Sequence, residues 1–148
     1  MIAVVQRVKE AKVEVDEKIV GEIGQGFLVL LGVAQGDTDD DFEYIKRKVS
    51  KMRIFSDEKG KMNRSLEAID GEILLISQFT LLANTKKGNR PSFIESADPA
   101  IANEYYEQMA KAWRDEGYTV ETGEFGADMQ VHLINDGPVT IIIDSKNP

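Results

Sequence analysis

The chain contains more strand-forming segments than two helices can cover. Apolar, β-branched runs that end in turn residues predict strands. Such runs occupy residues 2–8, 13–15, 18–23, 27–33, 53–55, 72–82, 118–121, 129–134 and 139–144. So many strands must bury their faces by closing into a barrel or by pairing across a dimer interface. The sequence therefore predicts an α+β fold: a mainly antiparallel, barrel-like sheet with two long helices.

The two helices are predicted from their caps and their apolar periodicity. Asp37 or Thr38 can cap the first helix, and three aspartates in its first turn suit the helix dipole. Its apolar face comprises Phe42, Ile45, Val49 and Met52. The second helix is expected to begin at Asp98-Pro99 and to end at a left-handed Gly117. Its apolar side comprises Ile101, Tyr105, Met109, Ala112 and Trp113.

The composition excludes several classes of protein. No apolar run approaches the roughly 20 residues that a membrane span requires, and the N-terminal segment becomes polar too soon for a signal peptide. We find no repeat, linker or low-complexity tract in the 148 residues. The prediction is therefore one domain over residues 1–148, in the cytoplasm and without a membrane partner. The lack of cysteine excludes disulfides and thiol chemistry.

The net charge of −8 argues against a general affinity for nucleic acids, because neutralising phosphates requires lysine and arginine. Two basic runs can still form local patches. They comprise Lys46, Arg47, Lys48, Lys51 and Arg53 around the end of the first helix, and Lys86, Lys87 and Arg90 in a loop. The helix dipole explains much of the first run. Solvated surface is the alternative interpretation of both runs.

Most of the usual catalytic residue types are absent. His132 is the only histidine, and its alternating strand pattern indicates a surface or edge-strand position. No acidic or histidine cluster has the spacing of a metal site, and no phosphate-binding or dinucleotide motif is present. The remaining candidates are the hydroxyls of Ser77-Gln78-Phe79-Thr80, where a buried strand meets a loop. Hydrogen bonding of these hydroxyls to the backbone is the ordinary alternative.

A second candidate element is the Gly137-Pro138 pair between the last two predicted strands. A tight turn is its ordinary interpretation. Proline adopts the cis peptide bond at low cost, and in either isomer the carbonyls of Gly137 and Pro138 have no strand partner. Such carbonyls can receive an amino group.

Five motifs in matching order give the chain a resemblance to the D-aminoacyl-tRNA deacylase family, and the match runs almost from end to end. They are Ala3-Val4-Val5-Gln6-Arg7-Val8, Ser77-Gln78-Phe79-Thr80-Leu81, Lys87-Gly88-Asn89-Arg90-Pro91-Ser92-Phe93, Phe125-Gly126-Ala127-Asp128-Met129 and Asn135-Asp136-Gly137-Pro138-Val139-Thr140.

The resemblance implies an activity and an assembly. The expected reaction is hydrolysis of the ester bond in D-aminoacyl-tRNA, and also in glycyl-tRNA mischarged on tRNA-Ala, without cofactor or metal. The family implies a homodimer with the active site at the subunit interface. A Gly-cis-Pro element, here Gly137-Pro138, is expected to enter the partner's pocket, hold the substrate amino group and exclude L side chains. Arg7 is expected to brace this element and Met129 to pack against it, with strand-edge charge and core packing as their alternatives.

Two mechanisms and two rival functions remain open from the sequence. In the first mechanism, Thr80 is the nucleophile. In the second, water attacks the ester with help from the tRNA 2′-hydroxyl, while backbone N–H groups around Phe79 and Thr80 stabilise the oxyanion. Lys86, Lys87 and Arg90 are expected to bind the acceptor end of tRNA, because their loop follows the active-site strand. The rivals are a non-catalytic RNA-binding module and a small-molecule amidase or esterase that uses Thr80.

Overall fold

A computed structural model describes residues 1–148 as a curved sheet with two helices on one face. The helices are α1 (Asp39–Ser50) and α2 (Pro99–Asp115). The strands are β1 (Ile2–Val15), β2 (Lys18–Ile23), β3 (Gly26–Gly32), β4 (Phe55–Ser56), β5 (Met62–Arg64), β6 (Glu72–Ser77), β7 (Thr119–Thr122) and β8 (Gln130–Asp144). Short 3₁₀ turns occupy Glu67–Ile69 and Phe79–Leu82.

The predicted α+β class is confirmed, but the sheet is mixed. Strand β1 pairs antiparallel with β2, β3 and β8. Strand β3 runs parallel to β6, and β6 runs parallel to β7. The mainly antiparallel prediction therefore missed two parallel pairs. They arise because the α1 and α2 segments lie between these strands in sequence and return the chain to the same end of the sheet.

The sheet curls until β2 approaches β7, which makes the barrel nearly closed. A glycine permits this approach. A Cβ atom added to Gly21 would lie 2.6 Å from the Thr122 carbonyl oxygen and 3.2 Å from the Leu74 side chain. Any larger residue at this position would push β2 away from the opposite wall, so Gly21 sets how tightly the barrel closes.

Two apolar clusters lie on opposite faces of β3 and β6. Phe27 and Leu75 belong to the larger cluster, which the helices cover, whereas Leu28 and Leu74 belong to a smaller cluster inside the barrel. Because both faces are buried, these strands are apolar at nearly every position. The prediction of buried strands from these two continuous runs is confirmed.

Phe42, Ile45 and Val49 form the buried face of α1 as predicted, whereas Met52 lies beyond the end of the helix and is half-buried, and the face of α2 was predicted wrongly in part. The buried residues of α2 are Ala102, Tyr106, Met109, Ala110 and Trp113. Ile101 is exposed, and Tyr105 is half-buried against Phe42. Tyr106 takes the inward position because its hydroxyl can donate to the carbonyls of Leu75 and Gly123, each at 3.3 Å. Neither helix is long and apolar enough to cross a lipid bilayer.

Several predicted boundaries also differ from the structure. Residues 2–8 and 13–15 form one strand, β1, and residues 129–144 lie largely in one strand, β8. Strand β6 ends at Ser77, and the apolar residues that follow it form a 3₁₀ turn instead of continuing the strand. Gly117 is left-handed as expected, with φ of 100°. The division of β1 and of β8 into two predicted strands each was caused by polar residues within these long strands, because such residues resemble turns in the sequence.

A buried ionic cluster joins both ends of the chain to the start of α1. The amino group of Met1 donates to Asp37 Oδ1 at 3.0 Å and to Ser145 Oγ at 2.9 Å. Asp41 accepts hydrogen bonds from the Thr38 N–H, the Ser145 hydroxyl and the Lys146 ammonium group, at 2.7–3.1 Å. Burial alone would raise the pKa of Asp41, but these donors together hold its pKa well below the ordinary value.

We predict that Asp41→Asn lowers the free energy of unfolding by about 2 kcal/mol at pH 7, because a buried ionic hydrogen-bond network loses its charge. A depressed folded-state pKa means that the carboxylate stabilises the fold above its ordinary pKa of 3.8 and stops doing so as the pH falls below it. The stability difference should therefore narrow below pH 4 in urea unfolding experiments.

Asp40→Asn is the matched control, since Asp40 lies in the same helical turn but is exposed. Its effect should stay within about 0.5 kcal/mol. Equal losses in both variants would show that the helix dipole, and not the buried cluster, accounts for the stabilisation.

Candidate active site

A cavity of about 640 Å³ opens where β6 ends and β8 begins. This volume is in the range of small-molecule sites. Apolar side chains supply most of its lining, and the polar groups are few and placed mainly at strand or helix ends. Prominent lining residues are Ile76, Phe79, Phe93, Phe125, Met129 and Val131. The cavity suits a ligand with an aromatic or aliphatic part and several hydrogen-bonding groups.

The Ser77–Thr80 segment lies at the rim of this cavity. Ser77, Gln78 and Phe79 line it, whereas Thr80 is exposed and does not. The Gln78 N–H donates to the Leu31 carbonyl at 2.8 Å, which fixes the segment to β3. Phe79 and Thr80 open the 3₁₀ turn, so their N–H groups precede its first hydrogen bond, from Leu81 N–H to the Gln78 carbonyl.

The environment of Thr80 offers no base. Its hydroxyl oxygen accepts a hydrogen bond from the side-chain amide of Gln78 at 2.5 Å. An amide does not remove a proton from a hydroxyl group near neutral pH. Ser96 Oγ donates to the Phe79 carbonyl at 3.2 Å, and the Phe79 and Phe93 rings meet edge to face at 5.2 Å. These contacts hold the turn in place without activating a nucleophile.

The opposite wall is formed by Met129, whose position depends on Gly123. A Cβ atom on Gly123 would lie 2.6 Å from Met129 Sδ, so the glycine leaves room for that side chain. The Tyr106 hydroxyl lies 3.3 Å from both the Leu75 and the Gly123 carbonyl oxygens, and its one proton, shared between them, holds the ends of β6 and β7 together. Burial raises the pKa of Tyr106, so this hydroxyl remains a donor at neutral pH.

Gly137 and Pro138 lie on an exposed projection of β8. Gln6 pairs with Thr140 and Val8 pairs with Asn135, so residues 136–139 bulge out of the ladder opposite Arg7. The Gly137–Pro138 peptide bond is cis. Gly137 has φ of 136°, and a Cβ atom there would lie 2.8 Å from the Val139 side chain. The projection therefore requires glycine at this position.

Arg7 holds the projection against the body of the fold. Its guanidinium group donates to the Asp136 carbonyl at 3.0 Å and to the Ile54 carbonyl at 2.6 Å. The Asn135 side chain closes the base of the bulge by accepting from Val139 N–H at 3.1 Å and donating to Thr140 Oγ1 at 3.1 Å. The contacts that a bracing role would require are therefore present.

The structure brings only part of the predicted set together. Ser77, Gln78, Phe79 and Met129 share the cavity, whereas Thr80, Arg7, Gly137 and Pro138 are not among its lining residues. Lys86, Lys87 and Arg90 lie on an exposed loop closed by two hydrogen bonds between Asn84 and Ser92. This loop directly follows the 3₁₀ turn that contains Thr80.

Several lining residues were not predicted as site residues, although Phe93 and Phe125 stand in two of the motifs that carry the family resemblance. They include Phe93, Ile94, Ser96, Asp98 and Phe125. The available signal was the presence of large apolar residues in segments with no strand or helix pattern to bury them. The sequence predicts Asp98 as a helix cap, but its side chain makes no capping hydrogen bond. Its carboxylate is the only ionisable side chain in the cavity lining.

His132 lies outside the cavity, as its surface interpretation predicted. It is 51% exposed, and its Nε2 lies 3.2 Å from Glu14 Oε1 on the neighbouring strand. No group of three histidine, aspartate or glutamate side chains is arranged to hold a metal ion.

Comparisons with known proteins agree over nearly the whole chain. A family model described as D-Tyr-tRNA(Tyr) deacylase matches residues 4–144. The D-aminoacyl-tRNA deacylases of Thermosipho africanus and Cytophaga hutchinsonii are 56% and 58% identical to this chain, and each alignment covers 98–99% of both proteins.

Two solved structures share the fold. One is of a c-Myc DNA Unwinding Element Binding Protein, with 41% identity, a TM-score of 0.91 and coverage of 97% of this chain and 98% of that one. The other is described as a probable eukaryotic D-amino acid tRNA deacylase. It has 18% identity, a TM-score of 0.75 and coverage of 96% and 97%, so it supports the fold alone.

We predict that Arg7→Lys loosens the projection, because an ammonium group cannot bridge two carbonyls as a planar guanidinium does. Amide hydrogen exchange in residues 135–141 should quicken by roughly tenfold, which corresponds to a loss of about 1.4 kcal/mol in local stability. Mass spectrometry of peptides that cover this segment provides the measurement.

Arg53→Lys is the control for this change. Arg53 is exposed, and its guanidinium group donates hydrogen bonds to Asn63, which is not part of β8. It should leave exchange in residues 135–141 unchanged. Wild-type exchange in the Arg7→Lys variant would contradict the bracing role.

Proposed function

The chain belongs to the D-Tyr-tRNA(Tyr) deacylase family, and we propose that it hydrolyses the ester bond of D-aminoacyl-tRNA. The products are free tRNA and a D-amino acid. Near end-to-end identity of 53–58% with proteins named D-aminoacyl-tRNA deacylase carries this proposal. Glycyl-tRNA mischarged on tRNA-Ala is a second substrate, because glycine has no side chain that an L-specific barrier could reject.

The proposed active enzyme is a homodimer in which each cavity is completed by the partner subunit. The observation behind this step is the separation of the two candidate elements within one chain. Gly137 and Pro138 are exposed and do not line the cavity that contains Ser77 and Phe79. Strand β8 pairs only with β1, so its outer edge is available to another subunit.

Stereoselectivity follows from placing rigid backbone where an L side chain would project. D and L substrates carry the same chemical groups, so attractive contacts alone discriminate poorly between them. The carbonyls of Gly137 and Pro138 would hold the substrate α-amino group and fix the direction of its side chain. Arg7 and Asn135 fasten the projection on both sides, which keeps it from yielding to an L substrate.

The chemistry proposed is attack by water on the ester carbonyl. The tRNA 2′-hydroxyl assists the proton transfer, and the N–H groups of Phe79 and Thr80 stabilise the oxyanion of the tetrahedral intermediate. Collapse of this intermediate breaks the bond to the ribose oxygen, which takes up a proton as the tRNA leaves. Gln78 acts by fixing the turn, and Ser77 and Met129 contact the substrate. Neither a metal nor a cofactor is part of this mechanism.

The substrate approaches with its single-stranded acceptor end. Lys86, Lys87 and Arg90 are placed to bind its phosphates, because their exposed loop continues from the 3₁₀ turn at the cavity rim. A short strand requires only a local basic patch, so the net charge of −8 does not oppose this contact. The site of action proposed is the cytoplasm, where aminoacyl-tRNA is used.

A nucleic-acid-binding module without catalysis is the second candidate function. It is favoured by the 41% identity to a protein named for binding a DNA unwinding element. Release of amino acid from D- and L-aminoacyl-tRNA, measured beside a free D-aminoacyl ester, separates the candidates. Selective release from D-aminoacyl-tRNA supports the proposal, and no release from it defeats the proposal. Equal turnover of the free ester identifies a small-molecule esterase.

We predict that Gly137→Ala lowers the ratio of D to L turnover by tenfold or more, or disrupts the dimer, because a Cβ atom cannot fit beside Val139. The measurement is single-turnover deacylation of both substrates, with sedimentation to record the dimer. Gly60→Ala is the matched control. Gly60 also has a positive φ, of 77°, but its Cβ position is open. An unchanged ratio in a dimeric Gly137→Ala enzyme would contradict the steric mechanism.

We predict that Thr80→Ala retains deacylation within about tenfold of wild type, because its backbone N–H remains in place. Loss of an oxyanion donor costs 10²–10³ in rate. Thr80→Ser distinguishes the alternatives further, since a nucleophilic mechanism would retain activity with serine and lose it with alanine. That pattern in folded variants, or an acyl group trapped on Thr80 and seen by mass spectrometry, would overturn the water mechanism.

A further inference from the structure

A second groove lies between helix α1 and the end of strand β8, separate from the candidate active site. Its volume is about 600 Å³. Arg47, Lys48 and Lys51 form one wall, and Ile142 with Asp144 forms part of the other. Arg47 and Lys48 lie in the last turn of α1 and Lys51 directly follows it, so the three cations lie close together along this wall. We refer to this surface as the α1 groove.

The cations of the α1 groove have no acidic partners. Lys46, one residue earlier in the helix, pairs with Glu43 at 2.8 Å, but no carboxylate lies within 4.0 Å of Arg47, Lys48 or Lys51. The helix dipole explains why cations are tolerated in the last turn. It does not explain why three of them line one groove together in a chain with a net charge of −8.

Other residues of the groove add surface that suits a nucleotide chain. Tyr44 lies beside the cations, with Lys48 Nζ 5.8 Å from the centre of its ring. Ile142 is 71% exposed in the single chain, but it belongs to β8, the strand proposed to face the partner subunit, so Tyr44 and the cations carry the argument for RNA contact. Grooves that bind nucleic-acid strands combine cations, which follow the phosphates, with aromatic and apolar side chains that contact sugars and bases. Asp144 also lines the groove, and its carboxylate accepts a hydrogen bond from Lys146 N–H at 2.9 Å, so the groove contains one negative charge beside its three cations.

We propose that the α1 groove binds the phosphodiester backbone of the tRNA outside its 3′-terminal nucleotides. This inference rests on the proposed function, because tRNA is the substrate of that function. Lys86, Lys87 and Arg90 follow the 3₁₀ turn at the cavity rim and serve the acceptor tip. The α1 groove is a separate cluster of unpaired cations and provides the contact that distinguishes a whole tRNA from its tip.

The test compares two substrates. One is full-length D-aminoacyl-tRNA, and the other is a D-aminoacylated trinucleotide that mimics only the acceptor end. In a variant carrying Arg47→Gln, Lys48→Gln and Lys51→Gln, the KM for the full-length tRNA should rise about tenfold. The kcat for both substrates and the KM for the trinucleotide should not change. The slope of log binding constant against log salt should become shallower by about 1 for each phosphate that the variant no longer neutralises.

Two further variants serve as controls. Lys9→Gln, Lys18→Gln and Lys59→Gln remove the same charge from exposed residues that have no acidic partner, and should change neither substrate's KM. Lys86→Gln, Lys87→Gln and Arg90→Gln should raise the KM for both substrates. Equal effects of the groove variant on both substrates, or no effect on either, would overturn the inference.

Sedimentation of the groove variant tests whether a second copy of the chain, and not RNA, occupies the groove. A shift in oligomeric state that accompanies the KM change would assign the groove to a contact between copies of the chain and overturn the inference. If the wild-type protein hydrolyses neither substrate, the proposed function fails. Binding of uncharged tRNA by the wild-type and groove variants then still decides whether the groove contacts RNA.

Discussion

The interruption of the β1–β8 ladder at Arg7 is the constraint on which the candidate site depends. Regular pairing on both sides, at Gln6–Thr140 and Val8–Asn135, fixes where the bulge begins and ends. Backbone groups that leave a ladder must find other partners. The guanidinium of Arg7 and the side chain of Asn135 supply them. The bulge is therefore a fastened piece of backbone, which is the property that a steric barrier requires.

The shape of the cavity is set by the ends of three strands. Ser77 ends β6, and Gly123 and Met129 lie just after β7 and just before β8. Tyr106 ties two of these ends together from helix α2. Such a site can position an ester closely but offers little acid–base chemistry, since Asp98 is its only ionisable side chain. Catalysis by positioning and by backbone dipoles is consistent with this set of groups.

Sequence patterns predicted the parts of the fold that local physics determines. The apolar runs of β3 and β6 indicated buried strands because both faces are covered, and the acidic first turn indicated the start of α1. The patterns failed where tertiary contacts decide. Lys9 and Glu10 look like a break between two strands in the sequence, but β1 continues through them and pairs with β8 on both sides. Ile101 was predicted on the buried face of α2, but Tyr106 occupies that face, where its hydroxyl reaches two carbonyl groups. The candidate site was also predicted only in part. Ser77–Thr80 was recognisable in the sequence as a polar strand end, whereas no local pattern shows that Gly137 lies away from that cavity.

The distribution of charge bears on how an acidic protein can act on RNA. At physiological ionic strength, electrostatic interactions between exposed groups fall off over about 8 Å, so unpaired cations near a phosphate outweigh distant carboxylates. Most of the acidic excess disfavours non-specific contact, because a misplaced nucleic acid meets repulsion instead of counterion release. For a chain with net charge −8, the proposed contact with RNA would therefore depend on an orientation that engages its local basic clusters. Acidity and an RNA substrate are compatible because recognition depends on where the cations lie and not on their sum.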